Sequence, residues 1–97
     1  MVEVRQTDTF KAWFQALRDA NAKHRILARI TRLELGNYGD VKSVGGGVSE
    51  LRIDYGPGYR LYLTKVGNTI VLLLCGGTKK SQSRDIAKAN KMAKSIR

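Results

Sequence analysis

One cysteine, one histidine and one proline are all that the 97-residue chain holds of those three types, and each scarcity removes a class of chemistry. Cys75 alone cannot form an internal disulfide, and its place in the most apolar stretch of the chain predicts a small buried hydrophobe. His24 has no cysteine, second histidine or paired carboxylates at ligand spacing, so no metal-binding set is expected and no cofactor is implied. A Ser-His-Asp arrangement, a plausible Cys-His pair and a phosphate-cradling glycine loop with its lysine are missing as well. The longest apolar run, Ile70 to Cys75, is six residues, far short of a bilayer span of about 20. Met1 to Arg5 show no charged leader ahead of an apolar run, so a cytoplasmic protein with no membrane association is expected.

Acidic side chains are scarce too. Eight Asp and Glu stand against 18 Lys and Arg, a formal charge of +10. A surface this positive attracts polyanions at long range in a salt-dependent way, which puts nucleic acid ahead of acidic protein and anionic membrane as partner. The length suits one domain, residues 1–97, with a single modest core.

Val2 to Gln6 alternates as a short edge strand does. Asp8 stands where a helix N-cap is expected, and Phe10, Trp13, Phe14 and Leu17 follow at i, i+3, i+4, i+7 as one apolar stripe. After Asp19-Ala20-Asn21 the period restarts with Ile26, Leu27, Ile30 and Leu33, and Gly36 is placed to end this second helix in the left-handed conformation. So short a break predicts an antiparallel helical hairpin. Lys23, His24, Arg25, Arg29 and Arg32 then decorate its outer side, as solvated charges or as a supporting contact to a polyanion.

Asn37 to Gly47 reads as a glycine-rich loop with room for a short strand at Val41 to Val44. Val48 to Tyr55 and Tyr59 to Val66 alternate around the turn signal Gly56-Pro57-Gly58. Gly67-Asn68 turns the chain into Thr69 to Cys75, where Ile70 to Leu74 is apolar on both faces and hence central. Ser81 or Ser83 caps a last helix, whose apolar stripe is Ile86, Ala89, Ala93 and Ile96. Lys80, Arg84, Lys88 and Lys91 make a basic ridge on nearly the opposite side. The pattern predicts an α+β fold: an N-terminal helical hairpin packed on a small antiparallel meander, with a C-terminal helix.

With Tyr55 paired to Tyr59 across the turn, Leu51, Ile53, Tyr55, Tyr59, Leu61 and Leu63 form the core face. Glu50, Arg52, Asp54, Arg60, Tyr62 and Thr64 share the other face, with Arg52 opposite Tyr62 and Asp54 opposite Arg60. One reading is a solvated sheet surface, its Asp54–Arg60 pair contributing at most about 1 kcal/mol. The other is a phosphate site: Arg52 and Arg60 bind bidentately, Tyr62 contacts a sugar or base, and Lys79 and Lys80 approach from the end of the central strand. An enzyme built on these residues works without metal and without a histidine base. RNA permits that, because its own 2'-hydroxyl can attack the neighbouring phosphate while the protein orients the strand, moves protons and stabilises charge. Proton transfer by Lys79 or Tyr62 requires a pKa depressed by neighbouring cations such as Arg52, Arg60 and Lys80.

Several stretches resemble one family. Gly47-Val48-Ser49-Glu50-Leu51-Arg52-Ile53, Tyr55-Gly56-Pro57-Gly58-Tyr59-Arg60, Leu73-Leu74-Cys75-Gly76-Gly77 with Lys79, and Gln82 with Asp85-Ile86 and Ala89 are similar to the HigB-like addiction-module killer proteins of the RelE/ParE toxin superfamily. The resemblance covers nearly the whole chain. It implies a RelE/ParE-like fold, a type II toxin paired with a helix-turn-helix antitoxin, and messenger RNA cleavage in the ribosomal A site. It further implies that Arg52 and Arg60 hold the scissile phosphate, that Tyr59 or Tyr62 positions the nucleotide, and that Lys79 assists with charge or proton transfer. Gln82 matches the family pattern, as does Asp85, each also readable as helix-start structure. Gln82, Lys80, Arg84, Lys88 and Lys91 complete the expected RNA-binding surface. Thr78 stands where the family commonly has Asp, and Lys80 where it has small polar residues. The superfamily also contains ParE-type gyrase inhibitors, so gyrase inhibition and non-catalytic nucleic-acid binding stand beside RNA cleavage as expectations.

Overall fold

A computed structural model describes residues 2–96. The chain runs β1 (Glu3–Gln6), α1 (Asp8–Ala16), α2 (Ala20–Glu34), β2 (Val41–Gly45), β3 (Val48–Ile53), β4 (Tyr59–Val66), β5 (Ile70–Thr78), a 3-10 turn (Lys79–Ser81) and α3 (Gln82–Ile96). The strands form one five-stranded sheet in the order β1-β5-β4-β3-β2. β2 to β5 are the antiparallel meander, but β1 pairs parallel to β5, so the sheet is mixed and not purely antiparallel. Five alternating residues announce a strand without naming its neighbour. Here Glu3 N donates to Thr69 O at 2.8 Å and Thr7 N to Leu73 O at 3.1 Å. Among the described residues no helix is long and apolar enough to cross a membrane.

Thr7, not Asp8, caps α1: its hydroxyl accepts from Phe10 N at 3.0 Å and donates to Leu74 O at 2.6 Å, tying helix start to central strand. Asp19 caps α2, accepting from Asn21 N and Ala22 N. The buried row of α2 is Ala22, Ile26, Ile30 and Leu33, while Leu27 is 48% exposed; at 100° per residue it stands one step round the helix from Ile26. Gly36, at φ +87°, ends α2 as expected, with Asn37 N reaching back to Arg32 O at 2.9 Å.

The sheet is covered on both faces. Phe10 and the α2 row pack on Leu51, Ile53, Tyr59, Leu61, Leu63, Val71 and Leu73. On the opposite face α3 lays Ala89 and Ala93 against Val48, Tyr62, Leu74 and Cys75, their small side chains letting the helix lie close. β5 is therefore an interior strand covered on both faces, as its two-faced apolarity predicts, although β4 and not β5 is the middle strand of the five. Leu63 pairs with Leu73 but Tyr62 with Cys75, so a bulge at Leu74 turns both Leu74 and Cys75 toward α3.

The β3–β4 register differs from expectation by two residues. Ile53, not Tyr55, pairs with Tyr59. Tyr55 leaves the strand to stack on Tyr59 at 6.5 Å and to donate its hydroxyl to Asp19 Oδ2 at 3.0 Å. The turn opens into a wider loop, closed by Gly58 N to Tyr55 O at 3.0 Å, with Gly56 and Gly58 both at positive φ. A shift of two keeps each side chain on its face while changing its partner. Arg52 thus faces Arg60 and Glu50 faces Tyr62, in place of the expected Arg52–Tyr62 and Asp54–Arg60 pairs.

Candidate nucleic-acid interface

Arg52 and Arg60 stand side by side on the face that α3 covers farther along the sheet, next to the loop between their strands. Lys79 joins them because the end of β5 is fastened to that loop: Lys79 N donates to Gly58 O at 2.8 Å. A Cβ at Gly58 would only touch that of Lys79, at 3.4 Å; it is the φ of +78° that favours glycine in this close approach. The three cations, with Asp40, Asp54 and the Gly56-Pro57-Gly58 segment, line one open groove of about 440 Å³.

The charges in this groove are not balanced by pairing. Arg52 Nη2 meets Asp40 Oδ1 at 3.0 Å, and its main-chain N–H also donates to Asp40 O at 2.9 Å. Arg60 has no ion pair among the described residues, and the Nε atoms of Arg52 and Arg60 are both buried without a hydrogen-bond partner. Like charges directly opposite on neighbouring strands repel by roughly 0.2–1 kcal/mol. An anion between the two guanidinium groups reverses that repulsion and accepts hydrogen bonds in the planar geometry arginine offers.

Tyr62 is not in the groove. It was expected on the open face, and it lies on that face, but under α3, with 0% of its surface exposed. Its hydroxyl donates to Glu50 Oε2 at 3.1 Å, and the same oxygen accepts from Gln82 Nε2 at 2.8 Å. Burial, and then the Glu50 charge, push the Tyr62 phenol upward, opposite to the depression a proton-transfer role needs. Glu50, 1% exposed, missed signalling itself because nothing in an alternating pattern tells which polar positions a helix will cover.

Tyr59 is likewise withdrawn. It is 7% exposed, with Trp13 edge-on at 6.3 Å and Tyr55 stacked at 6.5 Å, so it belongs to the core and not to an RNA-facing surface. Gln82 is spent on Glu50. Lys80, Arg84, Lys88 and Lys91 are exposed, as expected of a basic ridge. Lys80 and Arg84 line a groove of about 520 Å³ with Thr78, Ser81 and Ser83, while Arg84 and Lys88 line another of about 390 Å³ beside Trp13. Lys91 lines neither of these grooves.

Gly76-Gly77 lies inside β5. A Cβ on Gly76 would come within 2.3 Å of the Trp13 ring, and one on Gly77 within 1.8 Å of Asp85 Oδ2. The pair lets an indole close on one face of β5 and a carboxylate on the other. Asp85, 7% exposed, accepts from Ser81 Oγ, so this contact fixes the start of α3 and the 3-10 turn that carries Lys79 and Lys80. Cys75 is the buried hydrophobe expected, its thiol pushed up to about 11 by burial. Among the described residues no group of three or more His, Cys, Asp or Glu is arranged to hold a metal ion.

The pattern of the phage-derived Gp49-like protein family (DUF891) matches residues 12–95. The chain belongs to this family. The family is phage-derived and toxin-like. The chain is also 46% identical over 95 residues to an uncharacterised Haemophilus influenzae protein, covering 98% of this chain and 96% of the relative. The Gp49-like match takes in the helical layer, the meander and α3, and with them every residue of the groove; only β1 and the first residues of α1 precede it.

Proposed function

We propose that this Gp49-like protein is the toxin of a type II toxin–antitoxin pair, with a RelE/ParE-like fold and metal-independent endoribonuclease activity on messenger RNA at the ribosome. The observation that carries the reading is the convergence of Arg52, Arg60 and Lys79 on one open groove, with two facing guanidinium groups and one ion-paired carboxylate. In the reaction the ribose 2'-oxygen attacks the adjacent phosphorus, the P–O5' bond breaks, the 2'-hydroxyl proton passes to solvent water and the 5'-oxygen gains a proton. A 2',3'-cyclic phosphate and a 5'-hydroxyl result. Arg52 and Arg60 hold the non-bridging oxygens, where negative charge grows in the transition state. Lys79, exposed at the groove rim, neutralises or protonates the leaving oxygen. Tyr62 lies outside this groove with its hydroxyl on Glu50 and takes no part in proton transfer.

The partners under this reading are the ribosome with its message, in the cytoplasm, and a helix-turn-helix antitoxin whose acidic segment covers the groove. Purified protein added to translating ribosomes with a defined message, followed by primer extension, tests it. Codon-positioned cuts that disappear in Arg60→Ala and Lys79→Ala are expected. An intact message, above all with trapped gyrase cleavage complexes, would overturn the assignment in favour of gyrase inhibition.

A further inference from the structure

The groove at Arg52 and Arg60 is not isolated. It shares Ile53 and Asp54 with a groove of about 230 Å³ on α2 lined by Arg25, Arg29 and Arg32, which in turn shares Arg25 and Ala28 with one of about 430 Å³ beside Tyr55 and His24. In the other direction Lys79 adjoins Lys80, where the grooves along the start of α3 begin. Three of these depressions therefore share lining residues in a row, the two along α3 follow from Lys79 to Lys80 without a shared residue, and cations recur along this band among the carboxylates of Asp40, Asp54 and Asp85.

The α2 arm of this band is built, not merely charged. Arg25 lies over the Tyr55 ring at 4.4 Å, and Tyr55 is itself held by its hydroxyl on Asp19 and by stacking on Tyr59. A guanidinium fixed in advance loses less side-chain freedom when it binds. Arg29 is half-buried and donates to Arg52 O at 2.6 Å and Tyr38 O at 3.4 Å, so it serves as the bolt joining α2 to the strand that carries Arg52. Arg25 and Arg32 remain exposed on either side of it. The distance from this arm to the cleavage groove is consequently set by packed structure.

We propose that the band is a track for single-stranded RNA, in which Arg25 and Arg32 hold backbone phosphates several nucleotides away from the one between Arg52 and Arg60. This rests on RNA being the ligand of the central groove. A single strand, unlike a duplex, can follow a band that passes from a helix across a sheet edge to a second helix, with cations tracking its backbone.

The test uses the full chain and 2'-O-methyl oligoribonucleotides, which bind but cannot cleave themselves, at lengths from roughly 4 to roughly 16 nucleotides, the span of single-strand site sizes on small domains. Fluorescence anisotropy should show affinity rising at least tenfold between the shortest and longest. Arg25→Glu/Arg32→Glu should erase that gain, leave the shortest oligonucleotide within twofold of wild type, and reduce the salt slope for the longest by roughly 1.4, about 0.7 per lost phosphate contact. Lys11→Glu/Lys42→Glu makes the same change in net charge at exposed positions that line none of these grooves. If this control weakens the longest oligonucleotide as much, or if Arg25→Glu/Arg32→Glu binds it like wild type, the track is wrong. Cleavage on ribosomes is scored separately: cuts lost in Arg60→Ala but an unaffected length dependence in Arg25→Glu/Arg32→Glu rejects the track alone. A length dependence erased by Arg25→Glu/Arg32→Glu in a protein that never cuts rejects only the nuclease.

Discussion

Arg29 on α2 donates from Nη1 to the main-chain oxygen of Arg52 at 2.6 Å, with Nη2 reaching Tyr38 O at 3.4 Å. One guanidinium thus spans two carbonyls on either side of β2 and braces the strand that presents Arg52. Burial holds Arg29 below its ordinary pKa, but an arginine stays charged all the same. Arg29→Ala leaves the Arg52 carbonyl without this donor and should cost about 1.5–3 kcal/mol in urea unfolding, the range for a hydrogen bond from a charged group. Arg29→Lys should recover less than half of that, because an ammonium cannot reproduce the planar fork between the two carbonyls.

Arg52→Ala and Arg60→Ala separate stability from activity. Each removes one of two facing cations, so thermal unfolding of Arg60→Ala should be unchanged or improved by at most about 1 kcal/mol; in Arg52→Ala the lost Asp40 ion pair, an exposed pair of at most about 1 kcal/mol, offsets that relief and leaves stability close to wild type. Cleavage on ribosomes should fall at least tenfold, and by as much as ~10²–10³ if each guanidinium stabilises the transition-state oxyanion as a dedicated donor does. Full cleavage by a well-folded Arg52→Ala would remove that residue from the site.

Tyr62→Phe should behave in the reverse manner. The hydroxyl it removes serves the buried Glu50 carboxylate, and loss of a partner for a buried charged group costs about 1–3 kcal/mol or more. Cleavage per folded molecule, read as single-turnover rate after correcting for folded fraction, should stay within about threefold of wild type. A loss near that of Arg60→Ala, with stability intact, would restore Tyr62 to the chemistry.

These contrasts also mark how far the sequence was legible. Element order, the Gly36 helix end, the interior place of β5 and the sides of the sheet all follow from periodicity, which depends on local geometry alone. The convergence of Arg52 and Arg60 was visible as a shared face, and Lys79 as a side chain delivered by the neighbouring strand. What alternation cannot report is which part of a polar face a later helix covers, so Tyr62 and Glu50 read as surface though α3 buries both. The register slipped by two because Tyr55 gains a stack and a hydrogen bond outside the strand, a tertiary preference with no local signature. Gly76-Gly77 carried a usable signal: two adjacent glycines inside a buried strand point to close approach on both faces.

Gly77→Ala should be among the most damaging single-methyl additions to this chain. The new Cβ would stand 1.8 Å from Asp85 Oδ2 and 3.0 Å from Ser81 Oγ, so the Asp85 carboxylate must swing off its Ser81 bond or the start of α3 must move. Overpacking of this kind costs about 1–3 kcal/mol or more. Combined with Asp85→Ala the cost should be clearly less than the sum of the two single costs, since the clash partner is gone; additive costs in a double-mutant cycle would show that the contact is not the cause.

Alkaline stability gives a last prediction, with a sign fixed by burial. Cys75 is held neutral under α3, its pKa raised from 9.0 to about 11, and Tyr62 is shifted in the same direction. Below pH 9 the thiol is protonated in both folded and unfolded chains and the stability is at its full value. Between about pH 9 and 11 the unfolded chain loses the proton while the folded one keeps it, so stability falls as pH rises, by on the order of 2 kcal/mol from this residue. Cys75→Ala lowers stability at every pH through the lost side chain but removes this slope. Urea unfolding of both proteins at pH 8, 9, 10 and 11 measures the difference. Equal slopes for Cys75→Ala and wild type would mean that the thiol does not ionise differently on unfolding, and the remaining alkaline loss would then belong to Tyr62 and Tyr55, both shifted upward.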